Sequence, residues 1–240
     1  MSLSGKRIVI VGGTSGIGFA VAHAATGAGA HVVVASSDAA KVTAATARLP
    51  GAEGLALDVT DEAAVAAAFE RLGPIDHLVF TAGDWGGMRR GPLAELDLAA
   101  ASGLFGVRFW GALAVVKHAQ KTLAADGSIT LTDGTIAHRP TKGSAISTAM
   151  AGAVEHLVRG LAVELAPIRV NAVCPGLIRT GVWDSIPEDR REEQLAKMTA
   201  RQPLPRVGEP AEAAEAYLYL MRGGYTTGQV LRVDGGATTV

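Results

Sequence analysis

One short run in this chain has the residue types and spacing to hold an anion: Gly12-Gly13-Thr14-Ser15-Gly16-Ile17-Gly18. Glycine lets a chain turn tightly and lets backbone N–H groups approach a ligand with no side chain in the way. Ile8 to Val11 is an apolar run suited to a strand buried on both faces, and Phe19 onward reads as the opening of a helix. A helix beginning at that point aims the positive end of its dipole at the same place, so strand, glycine turn and helix together make a pyrophosphate site. The spacing is not the G-x-G-x-x-G of the common dinucleotide fingerprint. The single cysteine, Cys174, excludes an internal disulfide and reads as a small buried residue. No set of His, Cys and carboxylates stands at metal-ligand spacing, so no metal is expected.

The elements that must position this site alternate along the chain. Strands are predicted at Arg7–Val11, His31–Ala35, Gly54–Leu57, Ile75–Phe80, Gly127–Thr132, Ile168–Val173 and Gln229–Val233. Helices are predicted at Gly16–Ala28, Ala39–Leu49, Glu62–Leu72, Leu96–Ala124, Ala145–Ala166 and Ala211–Met221. This pattern predicts an α/β fold: a single Rossmann-type doubly wound domain over residues 1–240, its seven-stranded parallel sheet flanked by helices on both faces. The alternation breaks at residues 84–92, a candidate substrate loop, and at 177–207, a candidate lid with a short helix near Glu188–Thr199. Both follow carboxyl ends of strands, where open α/β sheets bind ligands.

The bulk numbers narrow the partners. A net charge of −1 with no basic run argues against nucleic acid and anionic membranes. The sequence shows no signal peptide and no uninterrupted apolar run judged long enough to span a bilayer, which implies a cytoplasmic protein.

The end of the second strand bears on which dinucleotide is bound. An NAD site carries a carboxylate there for the ribose hydroxyls. Here Ser36 and Ser37 follow the strand, and Asp38 is better placed to cap the next helix. A carboxylate within about 4 Å of a 2′-phosphate would cost roughly 1–4 kcal/mol, whereas serine hydroxyls carry no such penalty. With Lys41 within reach, the expected cofactor is NADP(H), with NAD(H) the weaker choice.

Nearly the whole chain resembles the short-chain dehydrogenase/reductase family. Gly12, Gly16, Ile17 and Gly18 match its cofactor motif, with Thr14 and Ser15 inside it and Val11 where threonine is usual. Asp58-Val59-Thr60-Asp61 resembles the segment that meets the adenine, and Phe80-Thr81-Ala82-Gly83 the Asn-Asn-Ala-Gly turn with both asparagines replaced. The stretch Leu165 to Gly176 is similar to the family's strand and turn beside the nicotinamide. By that resemblance Pro175, Gly176, Ile178 and Thr180 contact cofactor. Gly228 to Gly236 matches the C-terminal strand.

The family's Asn-Ser-Tyr-Lys tetrad does not match: alignment places Arg108, Gly134, Ile146 and Met150 at those positions. Lost acid–base catalysis is worth about 10²–10⁴ in rate, so another group must take over or the chemistry is gone. The family includes divergent members without the tetrad, some using an arginine and an aspartate. Arg108 and Asp133 are the matching candidates here: Arg108 to polarise an oxygen or hold a carboxylate, Asp133 as acid, base or partner of an iminium. His138, Lys142, Ser144, Ser147 and Thr148 rank behind them, and Trp85, Met88, Arg89, Arg90, Trp110 and Trp183 are candidate pocket walls. The implied function is hydride transfer between NADP(H) and a small organic carbonyl, enone or iminium. The alternative is a catalytically silent nucleotide sensor or assembly protein. The resemblance also implies a homotetramer or homodimer built through the long helices.

Overall fold

The computed structural model describes residues 1–83 and 91–240. Seven strands form one sheet: β1 (Arg7–Val11), β2 (His31–Ser36), β3 (Glu53–Ala56), β4 (Ile75–Phe80), β5 (Leu123–Thr132), β6 (Arg169–Pro175) and β7 (Val230–Val233). Their order is β3-β2-β1-β4-β5-β6-β7, every pairing parallel. Strand order reverses between β1 and β4, which opens a crevice at the carboxyl edge where such sheets bind ligands. This is the expected Rossmann-type sheet.

Side chains alternate across each strand and so feed two cores. Val9 and Val11 of β1 face one layer, Ile8 and Ile10 the other. The first layer is built by α3 (Glu62–Leu72), α5 (Ala112–Ala119) and α6 (Ala145–Glu164); the second by α1 (Gly16–Gly27), α2 (Ala39–Thr46) and α8 (Pro210–Arg222). Helix starts are set by local chemistry. Asp38 accepts from the N–H groups of Ala40 and Lys41 and caps α2, as anticipated, and Asp61 caps α3. Pro210 and a Glu209/Glu212 capping box open α8.

Two expectations need correction. The predicted helix Leu96–Ala124 is broken into α4 (Leu98–Ser102), a π-helical turn at Gly106–Gly111 and α5, and the residues from Leu123 belong to β5. Glycines at 103, 106 and 111 weaken a continuous helix, and at Gly111 a Cβ would lie 2.6 Å from Val59 Cγ2. The wide turn buries Arg108 while Trp110, two residues on, is 61% exposed. By length and composition Leu98–Ala119 also suffices to cross a bilayer, contrary to the sequence reading. Here one side of it, Val115, Val116 and Ala119, packs on the sheet. In the 177–207 segment lie a 3₁₀ turn at Gly181–Ser185 and α7 (Glu188–Thr199).

Candidate cofactor and catalytic site

The glycine turn after β1 is packed closely by backbone and by the side chains of Thr81, Val34 and Thr180. Gly12 has φ +87°, and a Cβ there would lie 2.5 Å from Ala82 N; one on Gly18 would lie 2.2 Å from Gly12 O. Thr81 sits beneath the turn, its N–H and that of Ala82 both donating to Val11 O. Ser15 is the N-cap of α1 but makes no side-chain capping bond, and the first turn carries no acid. Thr14, Ser15, Gly16 and Ile17 therefore place backbone N–H groups at a positive helix end, the kind of place that can hold a phosphate. Across the turn, a Cβ on Gly16 would meet Thr180 Cγ2 at 3.2 Å. The β1 turn and the turn after β6 thus face each other. Gly176 holds the latter close to β7, its N–H donating to Val233 O and its Cα backed against Asp234. Ile178 is buried and bridges to Gly208, and Trp183 Nε1 donates to Ile178 O at 2.7 Å. Residues 179–195 enclose a cleft of about 410 Å³ lined by Thr180, Trp183, Arg191 and Leu195.

At the end of β2, Ser36 Oγ accepts from Asp38 N at 3.3 Å, which leaves the hydroxyl hydrogen to donate outward; Ser37 is exposed beside it. With its carboxylate turned to the α2 N-terminus, Asp38 is the helix cap. At the next strand end Asp58 accepts from Thr60 N and Oγ1, and those bonds hold its carboxyl below the usual range. Val59 is buried against Gly111, so its side chain is a packing group.

The catalytic candidates lie at the carboxyl ends of β4 and β5. Arg108 is 8% exposed and its guanidinium covers Gly83, where a Cβ would fall 2.5 Å from Nε. A side chain at position 83 would push the Arg108 guanidinium aside. Asp133 follows β5, 1% exposed, its N–H donating to Val173 O of β6. Its carboxyl points into the α6 layer, toward Glu155 and Cys174. Burial first, then Glu155, push Asp133 above the carboxylate range, while burial pushes the Cys174 thiol up. Tyr217 of α8, wholly buried, feels the charges of both Arg108 and Asp133.

Sequence spacing gave no hint of the group that forms around Asp133. One ligand-type atom from each of Asp133, His138, Glu155 and Cys174 lies within 4.8 Å of the others. His138 Nε2 meets Glu155 Oε1 at 2.5 Å. Two unit negative charges 4.8 Å apart, the outer limit for Asp133 and Glu155, repel by about 3 kcal/mol at an effective dielectric of 20. Residues 133, 138, 155 and 174 fit no ligand signature, and only the β5–α6–β6 crossing brings them together. Of the residues that the resemblance sets at the tetrad positions, Gly134 and Met150 are buried and Ile146 is partly buried. Ser147, one residue on, turns a buried Oγ inward that has no partner among the described residues. Ser144 closes a local turn with Thr141, Thr148 Oγ1 lies 3.5 Å from Ser144 Oγ, and Lys142 is exposed. Trp85, Met88, Arg89 and Arg90 lie outside the described residues.

A dinucleotide-binding α/β sheet with its glycine turn at the switch point defines the class. The family model described as enoyl-(acyl carrier protein) reductase matches residues 11–238. The chain is 37% identical over 252 residues to the short-chain dehydrogenase/reductase ATR9 of Stachybotrys chlorohalonatus, covering 98% of each. The structure of the MalC reductase/Diels–Alderase of Malbranchea aurantiaca superposes with TM-score 0.89 at 34% identity, over 98% of this chain and 96% of that one. A small-chain dehydrogenase in complex with NADPH matches with TM-score 0.85 at 34% identity, over 99% and 100%. This chain belongs to the short-chain dehydrogenase/reductase family. Its homologues are oxidoreductases, one of them solved with NADPH bound.

Proposed function

We propose that this protein is an NADP(H)-dependent oxidoreductase acting on a small organic carbonyl, enone or iminium, with Arg108 and Asp133 serving where relatives use a tetrad. The observation that carries this reading is the Arg108 guanidinium laid over Gly83, at the end of β4 and next to the glycine turn. A buried guanidinium at a cofactor-side strand end can donate to a substrate oxygen or hold a carboxylate, in a place where water competes little. The tetrad's absence does not depend on the aligned register. Ile146 and Met150 cannot exchange protons, and a one-residue slip gives Ser147 and Ala151, which leaves tyrosine and lysine equally absent.

The residues proposed to hold the dinucleotide are Gly12 to Gly18 for the pyrophosphate, Ser36 and Ser37 for the 2′-phosphate and Asp58 and Val59 for the adenine. Thr81 to Gly83 line the floor, and Pro175, Gly176, Ile178 and Thr180 the nicotinamide end. When bound, the nicotinamide supplies or accepts the hydride. The chain's own residues orient and polarise: Arg108 at the substrate oxygen, Asp133 as the store of the proton that oxygen takes up. Residues 177–207 act as the lid, its hinge steadied by Arg179, which pairs with Glu192 of α7 and Glu209 at the start of α8. Exposed Leu98 and Trp110 support a homodimer or homotetramer through this face.

A panel of ketones, quinones and cyclic imines incubated with NADPH, followed at the reduced-nicotinamide absorbance, tests the reading. Turnover of at least one, lost in Arg108→Leu while NADPH still binds, is the expected result. Tight NADPH binding with no turnover across the panel would favour a silent sensor.

A further inference from the structure

We infer that Asp133, Glu155 and His138 work as one proton-holding unit, in which the two carboxyls share a single proton and His138 exchanges it with solvent. The geometry requires a proton somewhere in the group. Asp133 and Glu155 are 1% and 6% exposed, their oxygens within 4.8 Å. As a bare carboxylate, Asp133 would have only weak donors, Gly134 N–H and the Cys174 thiol, set against the charge of Glu155. A proton placed between the two carboxyls turns a repulsion into a hydrogen bond and satisfies both.

The outward path is fixed by the histidine. Arg232 Nη2 of β7 lies 3.4 Å from His138 Nδ1, and arginine only donates, so Nδ1 is the acceptor and Nε2 carries the hydrogen. Nε2 then donates to Glu155 at 2.5 Å. The His138 side chain is 22% exposed, Glu155 8%, so the imidazole is the member that meets water. Other charged and titratable groups facing the unit are Cys174 from β6, Arg159 from α6, Tyr217 from α8, and Arg232 and Asp234 from β7.

This rests on the proposed role of Asp133 and names a substrate class within it. Reduction of a ketone or aldehyde consumes one proton: an O–H bond at the carboxyl pair breaks and one forms on the substrate oxygen. The two electrons arrive with the nicotinamide hydride, and the pair is refilled from water through His138. Reduction of an iminium takes up no proton, so a stored proton fits a carbonyl substrate.

Infrared spectroscopy of the full-length protein at pH 7 supplies the test. A protonated-carboxyl C=O band is expected in the wild type and absent in Asp133→Asn. His138→Phe should keep the band but slow its shift in D₂O about tenfold or more, with added imidazole restoring the rate. With a ketone, the same variant should lose kcat and regain it with imidazole; with a cyclic iminium it should not. No such band, or wild-type exchange in His138→Phe, would overturn the unit. So would one equivalent of cobalt(II) binding with a thiolate charge-transfer band, since the four groups would then be metal ligands. The infrared outcomes stand whether or not any substrate is turned over, so failure of the unit and failure of the oxidoreductase reading are distinguishable.

Discussion

The two halves of the sheet solve different problems. From β1 to β4 the surface proposed to face the nucleotide is mostly backbone: glycines with no room for a Cβ, a helix start with no side-chain cap, and serines at the β2 end. Around β5, α6 and β6 it is ionisable side chains in the dark: Asp133, Glu155 and Cys174 buried, His138 at the margin. A phosphate cradle made of backbone leaves little to exchange, because each glycine is held by sterics. Chemistry carried by side chains can be rewritten one residue at a time on an unchanged frame. That is why the chain can superpose on its relatives with Arg108, Gly134, Ile146 and Met150 at the positions proposed to replace the tetrad.

The largest effect on binding should come from the half that tolerates least. Gly18→Ala places a methyl 2.2 Å from Gly12 O and 2.4 Å from Thr81 Oγ1. NADPH affinity by calorimetry should fall about 100-fold or more, an effect of roughly 3 kcal/mol. Gly27→Ala, whose Cβ meets nothing within 4 Å, should bind like wild type. Equal losses from both would mean that the turn is not the binding element. Arg108 probes the other half. Arg108→Leu should lower turnover about 100-fold with NADPH affinity changed little, since a group acting on the substrate is worth about 10²–10³ in rate. A loss of NADPH binding with unchanged turnover at saturation would move Arg108 to the cofactor side of the comparison.

How legible each half is in the sequence follows from the same difference. The run Ile8 to Gly18 spells strand, turn and helix because its determinants are local: apolar alternatives on one side, missing side chains on the other. Asp38 as the α2 cap was legible for the same reason, a carboxylate two and three residues ahead of the N–H groups it accepts. Glu155 went unnoticed. It sits mid-helix and becomes meaningful only when α6 crosses the ends of β5 and β6, a contact that no local pattern encodes. The break in Leu96–Ala124 is also hidden, because the apolar spacing runs through it, and the packing of Val59 against Gly111 comes from a distant strand end. Arg108 was found only through alignment, and its contact with Gly83 needed the fold.

An effect on stability separates the halves by pH. Asp133 is raised to about 8, first by burial and then by Glu155, so the folded state holds a proton that the unfolded chain releases above about 4. The stabilisation this proton gives is complete below pH 4 and is lost as pH rises toward 8. Asp133→Asn, neutral throughout, escapes that loss. Its stability relative to wild type in urea should improve between pH 5 and pH 8 by about 3–4 kcal/mol. A difference that does not change with pH would show Asp133 ionised in the fold and remove the shared proton.

The smallest effect returns to the nucleotide half, where Ser36→Asp tests the one feature there carried by side chains. The new carboxylate can still accept from Asp38 N, as Ser36 Oγ does at 3.3 Å, so the strand end should keep its form. It adds a negative charge where the 2′-phosphate is proposed to sit, worth about 1–2 kcal/mol near a surface. NADPH affinity should drop about tenfold while NADH affinity holds or rises, read by paired titrations. If both cofactors weaken equally, the substitution has disturbed the strand rather than the charge. If neither changes, the 2′-phosphate is held elsewhere, and the choice of cofactor does not lie with the β2 serines.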